Sequence, residues 1–203
     1  LKYNFNILSG LTGTGKTFFL NKLSLNHNTL DLEKLANHKG SILGDIPNKT
    51  QPSQKKFESK IWFSLYDPKY KSDFWAESES NRIGKLFVPK NLFLKMIEGK
   101  VFNISVPKRN RVKFILKDYQ YLINDNDSLF RSLKVLQRFL SNKSFKNLAE
   151  LIKEKKYDNF VSKLLDLHYD KVYSKINHYK KIFKDIKLNS VDHKSFEILL
   201  KGL

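Results

Sequence analysis

Gly10-Leu11-Thr12-Gly13-Thr14-Gly15-Lys16-Thr17 satisfies the pattern G-x-x-x-x-G-K-[ST] at every position, and its reading decides the fold. Glycines open backbone conformations closed to other residues, so successive N–H groups can turn toward one anion. Lys16 supplies a point charge. The hydroxyl of Thr17, on the first turn of the helix that follows, is placed to ligate a magnesium ion held between phosphate oxygens. The helix start adds the positive end of its dipole. Such a loop needs a strand before it and a helix after it. Tyr3, Phe5, Ile7 and Leu8 form a β-prone apolar run, and Phe18, Phe19, Leu20 and Leu23 follow with helical spacing. Gly10, Gly13, Thr14, Gly15, Lys16 and Thr17 are thus the first candidate ligand-binding residues.

Working outward, 29–32 reads as a second strand that brings Asp31 and Glu33 to the ligand edge of a parallel sheet. Residues 36–53 hold Gly, Pro, Asn and His without periodicity and read as a loop over the site. Helical spacing resumes over 54–66 through Phe57, Ile61, Trp62 and Leu65, and stops at Asp67-Pro68. A third strand, 74–76, ends in Glu77-Ser78-Glu79, the acidic strand end that orders magnesium or water opposite a phosphate loop. Residues 90–98 form a helix stopped at Gly99, 101–106 a fourth strand, and 109–123 a helix entered through Pro107. From 127 to 181 apolar residues recur at steps of three and four, as in a helical segment. Residues 186–191 read as a last strand, with Asp192 capping a closing helix.

This alternation predicts an α/β fold of the P-loop NTPase-like kind, a mostly parallel five-stranded sheet flanked by helices, with a helical insertion before the last strand. The expected organisation is an α/β core over 1–126, a helical segment over 127–183 offered to tRNA, and a final strand and helix over 184–203.

The chain has 203 residues, no cysteine, and 38 Lys and Arg against 20 Asp and Glu, a net charge of +18. Disulfide and thiolate chemistry within it are excluded. No stretch is long and apolar enough to span a membrane, and no secretory signal is visible, so the expected location is cytoplasmic and no membrane partner is expected. The excess of positive charge favours a polyanion such as nucleic acid. Opening on Leu1, almost directly in a strand, the sequence reads as a segment of a longer protein.

The stretches Leu30-Asp31-Leu32-Glu33, Leu35-Ala36-Asn37-His38-Lys39-Gly40-Ser41, Gln51-Pro52-Ser53-Gln54-Lys55-Lys56-Phe57-Glu58-Ser59 and Glu77-Ser78-Glu79-Ser80-Asn81-Arg82-Ile83-Gly84 resemble, in this order, the phosphate-loop domain of bacterial tRNA 2-selenouridine synthase. The resemblance is specific from Ser9 to Arg111. Beyond it, Leu167-His168-Tyr169-Asp170 with Tyr173 is the best match. It implies a transferase that converts the wobble 2-thiouridine of tRNA to 2-selenouridine through an S-geranylated intermediate, using geranyl diphosphate and selenophosphate. It also implies an N-terminal rhodanese-like domain with a functional cysteine as partner in cis, and this sequence has neither. A small-molecule or nucleoside kinase and a non-catalytic tRNA-binding module remain alternatives.

Lys16, Asp31, Glu77 and Arg82 are the candidate catalytic residues, and Thr17 and Glu77 the candidate magnesium ligands. Arginine is scarce in this lysine-rich chain, so Arg82, Arg109 and Arg111 are candidates for bidentate phosphate clamps, or else ion-pair partners. Arg131 and Arg138 are candidates for contact with tRNA backbone. His38 is a candidate phosphate donor or proton shuttle, whereas His168 is expected to be a buried histidine. Tyr157, Tyr169, Tyr173 and Tyr179, interleaved with Lys163, Lys171, Lys175, Lys180 and Lys181, suit either base stacking on tRNA or a core seam.

Overall fold

The computed structural model describes residues 3–66, 68–70, 72–176, 178–179 and 182–203, with the backbone alone for 174–176. In chain order the elements are β1 (Phe5–Ser9), α1 (Lys16–Leu23), β2 (Asn28–Leu30), α2 (Leu32–Ala36), α3 (Gln54–Tyr66), β3 (Phe74–Glu77), β4 (Arg82–Ile83), β5 (Leu86–Phe87), α4 (Lys90–Ile97) and β6 (Lys100–Ser105). They continue with α5 (Lys108–Asp118), α6 (Gln120–Ile123), α7 (Asn126–Leu136), α8 (Asn142–Lys153), α9 (Tyr157–Leu164), α10 (Asp170–Ile176), β7 (Ile182–Lys187) and α11 (His193–Gly202).

Five strands make one all-parallel sheet in the order β2-β3-β1-β6-β7, so the strand that feeds the phosphate loop lies at its centre. Alternation along each strand divides the sheet's core in two. Phe5, Ile7, Phe74, Ala76 and Val101 face α3 and α4, packing on Phe57, Ile61, Leu92 and Met96. Leu8, Trp75, Phe102 and Ile104 face α1 and α11, packing on Phe19, Leu20, Leu23, Phe196 and Leu199. A third core joins α5 to the helical arm through Val112, Leu129, Leu133, Leu148, Ile152, Phe160 and Leu164.

Several boundaries differ from those the pattern predicts. The second strand ends at Leu30, because Asp31 leaves it to cap α2, its carboxylate accepting from Lys34 N at 2.8 Å. The helix expected over 109–123 breaks at Tyr119 into α5 and α6. The long helical segment is cut by a 3₁₀ turn at Gln137–Phe139, by Lys155 at φ 55°, and by a π-turn at Leu165–Tyr169. The last strand starts at Ile182 rather than 186. At the sheet edge Ile182 and Phe183 stay exposed, so its burial pattern does not alternate, while Leu188 belongs to the turn beyond it. The antiparallel hairpin of β4 and β5, turning at Gly84, was absent from the sequence reading. Asp67, expected to stop α3, lies outside the described residues, as do Lys180 and Lys181 and the side chain of Lys175.

Candidate functional site: a phosphate loop braced by the helical arm

β1 ends at Ser9 and α1 begins at Lys16, with the glycine loop between them. Gly13 and Gly15 both adopt φ 82°, which only glycine takes up without strain. A side chain at Gly13 would meet Ile115 Cδ1 at 2.7 Å, and one at Gly15 would run into Val191. Thr14 is fixed from within the loop, its N–H and hydroxyl both donating to Leu11 O, at 3.2 and 2.9 Å. The N–H groups of Gly13, Gly15, Lys16 and Thr17 find no protein acceptor among the described residues. They are the orphan donors of the loop and helix start. Lys16 Nζ donates to Gly10 O at 2.8 Å and lies 5.5 Å from the ring centre of Tyr173.

Parallel pairing sets Leu8 beside Glu77, which brings the acidic end of β3 to the loop. The Thr17 hydroxyl lies 3.2 Å from Glu77 Oε2 and 3.5 Å from Glu33 Oε2. Glu77 is 4% exposed, and its Oε1 is buried without a hydrogen-bond partner. Burial, with Glu79 and Asp31 adding repulsion against the attraction of Lys16 and the Thr17 hydroxyl, pushes the Glu77 carboxyl up to about 8. Glu33 is raised well above the carboxylate range and Glu79 is raised too, burial leading in both. Gly40, at φ 66°, sits against Glu33 and Glu79, with no room for a side chain. A hydroxyl beside a buried carboxylate with an unsatisfied oxygen is a hard-donor pair of the kind that accepts magnesium alongside phosphate and water. The residues therefore fit that ion, which Thr17 and Glu77 would hold. Among the described residues no cluster of three or more acidic or histidine side chains forms a ready-made metal cage.

The other predicted residues are placed as follows. Asp31 is near enough to raise Glu77, but its carboxylate is committed to the α2 cap and burial raises it as well. Arg111 is 4% exposed and is paired inside the protein. Its guanidinium donates to both carboxylate oxygens of Asp170, at 2.9 and 2.8 Å, and to Thr12 O at 3.0 Å. Arg82 is exposed on its hairpin, bonded to Gly84 O and lying over Phe87. Arg109 lines an outward polar groove with Lys108, Lys113, Asp158 and Asn159. Arg131 pairs within α7 with Ser128 and Asp125, and Arg138 lies over Phe139. His38 is buried, accepts the Gly40 N–H at 3.1 Å and is held below its usual pKa by desolvation, so it organises the 36–53 loop as a neutral ring. His168 is buried beside Phe139 and Tyr169, and desolvation lowers it too.

The sequence reading missed the bracing of the loop by the arm. The Tyr173 hydroxyl accepts the Gly10 N–H at 3.0 Å and lies 2.9 Å from both Ser9 Oγ and Ser78 Oγ, joining the loop to the β3 end. Tyr119 and Tyr169 line one cavity together with Ser41. Tyr179 is buried and donates to Glu79 O, and Tyr157 donates to Asn126. The hydroxyls of Tyr157, Tyr173 and Tyr179 thus make contacts inside the protein. The signal was present in Leu167-His168-Tyr169-Asp170 and Tyr173, the one arm motif that stood out. Between α5 and the arm lies a cavity lined by Ile115, Leu122, Leu129, Leu164 and Leu165 together with Thr12 of the loop, almost wholly apolar.

A family model described as the tRNA 2-selenouridine synthase AAA domain matches residues 3–190. Proteins named tRNA 2-selenouridine synthase are similar: that of Aeromonas salmonicida is 35% identical over 118 residues, 57% of this chain and 31% of the relative. That of Marinobacter nauticus is 37% identical over 117 residues, with the same coverage of each chain, 57% and 31%. The matched stretch thus spans about a third of these relatives' length, 31% in each. A match across nearly the whole sequence, on a parallel sheet with its phosphate loop intact, means that the chain belongs to the tRNA 2-selenouridine synthase AAA domain family.

Proposed function

We propose that this domain takes part in converting the wobble 2-thiouridine of tRNA to 2-selenouridine, and that its loop grips the diphosphate of geranyl diphosphate. The observation that carries this reading is the apolar cavity that shares Thr12 with the loop. A hydrocarbon chain on a diphosphate uses both halves of such a site, while selenophosphate, the other phosphate-bearing substrate of the reading, uses only the loop. In the geranylation step the thiocarbonyl sulfur of the base forms a bond to C1 of the chain. The C1–O bond breaks, the diphosphate leaves with the electron pair, and the alkylated base releases its N3 proton to water. The free N–H groups of Gly13, Gly15, Lys16 and Thr17, with the Lys16 ammonium, face the charge that grows on the leaving oxygen. A magnesium ion bound by Thr17 and Glu77 would supply further neutralisation of that charge. Arg111 and Asp170 act by holding Thr12, and Tyr173 by holding Gly10. The kinase alternative calls for lid arginines over the loop, whereas Arg82 bonds within its own hairpin, Arg109 lines an outward groove and Arg111 is paired with Asp170.

Calorimetric titration of the purified protein with geranyl diphosphate, inorganic diphosphate and selenophosphate tests this. Leu129→Phe, which fills the cavity, is expected to weaken geranyl diphosphate about tenfold, the order of a lost chain contact of ~1.4 kcal/mol, and to leave inorganic diphosphate unchanged. Lys16→Ala is expected to weaken all three. Geranyl diphosphate binding no tighter than inorganic diphosphate would remove the cavity from the site.

A further inference from the structure

Helix α3 turns Phe57, Ile61 and Leu65 into the core, yet it also carries Trp62, Phe63 and Tyr66, which are 54%, 70% and 69% exposed. At 100° per residue the outward face centres between Trp62 and Phe63, and it gathers Lys55, Lys56, Ser59, Trp62, Phe63 and Tyr66. The rings are ordered on one another. Trp62 and Tyr66 stack with centroids 4.5 Å apart, and Phe63 meets Trp62 edge-on at 5.1 Å. Three large aromatics in solvent, already stacked, form an apolar patch of the kind that marks an interaction surface.

The flanking charge decides the partner. Lys55 and Lys56 are exposed on the same face, the one acid beside it, Glu58, accepts from Gln54 Nε2 at 2.7 Å, Lys69 lies just beyond, over Tyr70, and the whole chain carries +18. A rigid aromatic platform edged by ammonium groups takes flat, uncharged rings joined by phosphates, which is the chemistry of unpaired nucleotides. We infer that the outward face of α3 is an RNA-docking surface on which Trp62 and Tyr66 stack against unpaired bases while Lys55 and Lys56 meet the flanking phosphates. The inference rests on the reading of tRNA as substrate.

The chain contains two tryptophans, and Trp75 is 5% exposed, so base stacking on the surface is reported by Trp62 emission. The wild-type protein is titrated with an anticodon stem-loop RNA and with a blunt RNA duplex of equal length. The expected result is quenching by the stem-loop and much less by the duplex. Trp62→Phe should lose the quench and keep most of the affinity. The double variant Trp62→Ala/Tyr66→Ala should bind the stem-loop about tenfold more weakly or worse, with its melting temperature unchanged because both rings are exposed. Stem-loop binding with unaltered emission, and equal affinity in the double variant, overturns the α3 surface and leaves the tRNA reading standing. Failure of any RNA to bind the wild type overturns both. A protein dimer abolished by the double variant, with RNA affinity unchanged, assigns the face to a second copy and overturns the inference.

Discussion

Glu77 is where strand geometry and charge meet most sharply: β3 must end beside the loop, and the side chain delivered there is buried with one oxygen unsatisfied. In the metal-free protein its carboxyl is pushed up to about 8, mainly by burial, against an ordinary value of 4.5. The folded state therefore holds a proton that the unfolded chain releases near 4.5. This contribution to stability is whole below that pH and is lost as pH rises through about 8. Glu33 and Glu79 are shifted the same way and act in the same sense. In chelator, denaturant midpoints should fall between pH 5 and 8. Glu77→Gln, which copies the protonated form, should be near neutral at pH 5 and more stable than wild type at pH 8. Equal pH profiles for the two proteins would show that Glu77 ionises freely. On the proposed function the same variant should also lose the dependence of diphosphate affinity on magnesium, since the ion would be left with Thr17 alone.

At the scale of elements, the strap between α5, α10 and the loop is the feature with most at stake. Arg111 spans Thr12 O and both oxygens of Asp170, and removing one member of so buried a pair typically costs ~3–5 kcal/mol. Arg111→Met and Asp170→Leu should each approach the lower end of that range in urea unfolding. The pair together should regain most of it, because apolar partners leave no stranded charge, yet diphosphate affinity should stay low with Thr12 unheld. Arg111→Lys should restore neither stability nor affinity, lacking the fork. Additive losses in the double variant would show that the two residues do not act as a pair. The sequence left this strap half legible: Arg111 read equally as a ligand clamp or an ion-pair partner, and the motif holding Asp170 stood out without pointing to Arg111. Local pattern did reveal the loop, both its flanks, β3 with Glu77 at its end, and the Asp192 cap of α11. It failed where tertiary contacts decide. Two-residue strands carry no periodicity, an edge strand such as β7 does not alternate, and no proline or glycine marks the breaks inside the arm. The tyrosines of the arm were ambiguous for a related reason, since lysines flank both their buried and their exposed positions.

For the molecule as a whole, the loop is the joint between two bodies of core, the sheet with its covering helices and the helical arm packed on α5. Each side contributes to its shape. Ile115 closes on Gly13, Val191 on Gly15, and Tyr173 and Asp170 reach Gly10 and Thr12 from the arm, the latter through Arg111. An anion on the free N–H groups must draw Lys16 from Gly10 O, and it then sits on a backbone whose position depends on the arm being docked. Occupancy and docking are thus thermodynamically linked: whatever the ligand gains from the ordered loop, it returns as stability of the docked arm. Inorganic diphosphate at a hundred times its Kd stabilises the state that binds it by about 2.7 kcal/mol. Hydrogen exchange should find that gain in α5, α9 and α10 as well as in α1. In Asp170→Leu the added protection should be confined to α1 and the sheet, with affinity reduced. Protection gained in the arm to the same extent with Asp170 replaced would show that loop and arm respond to ligand independently, and that the strap is only a structural tie.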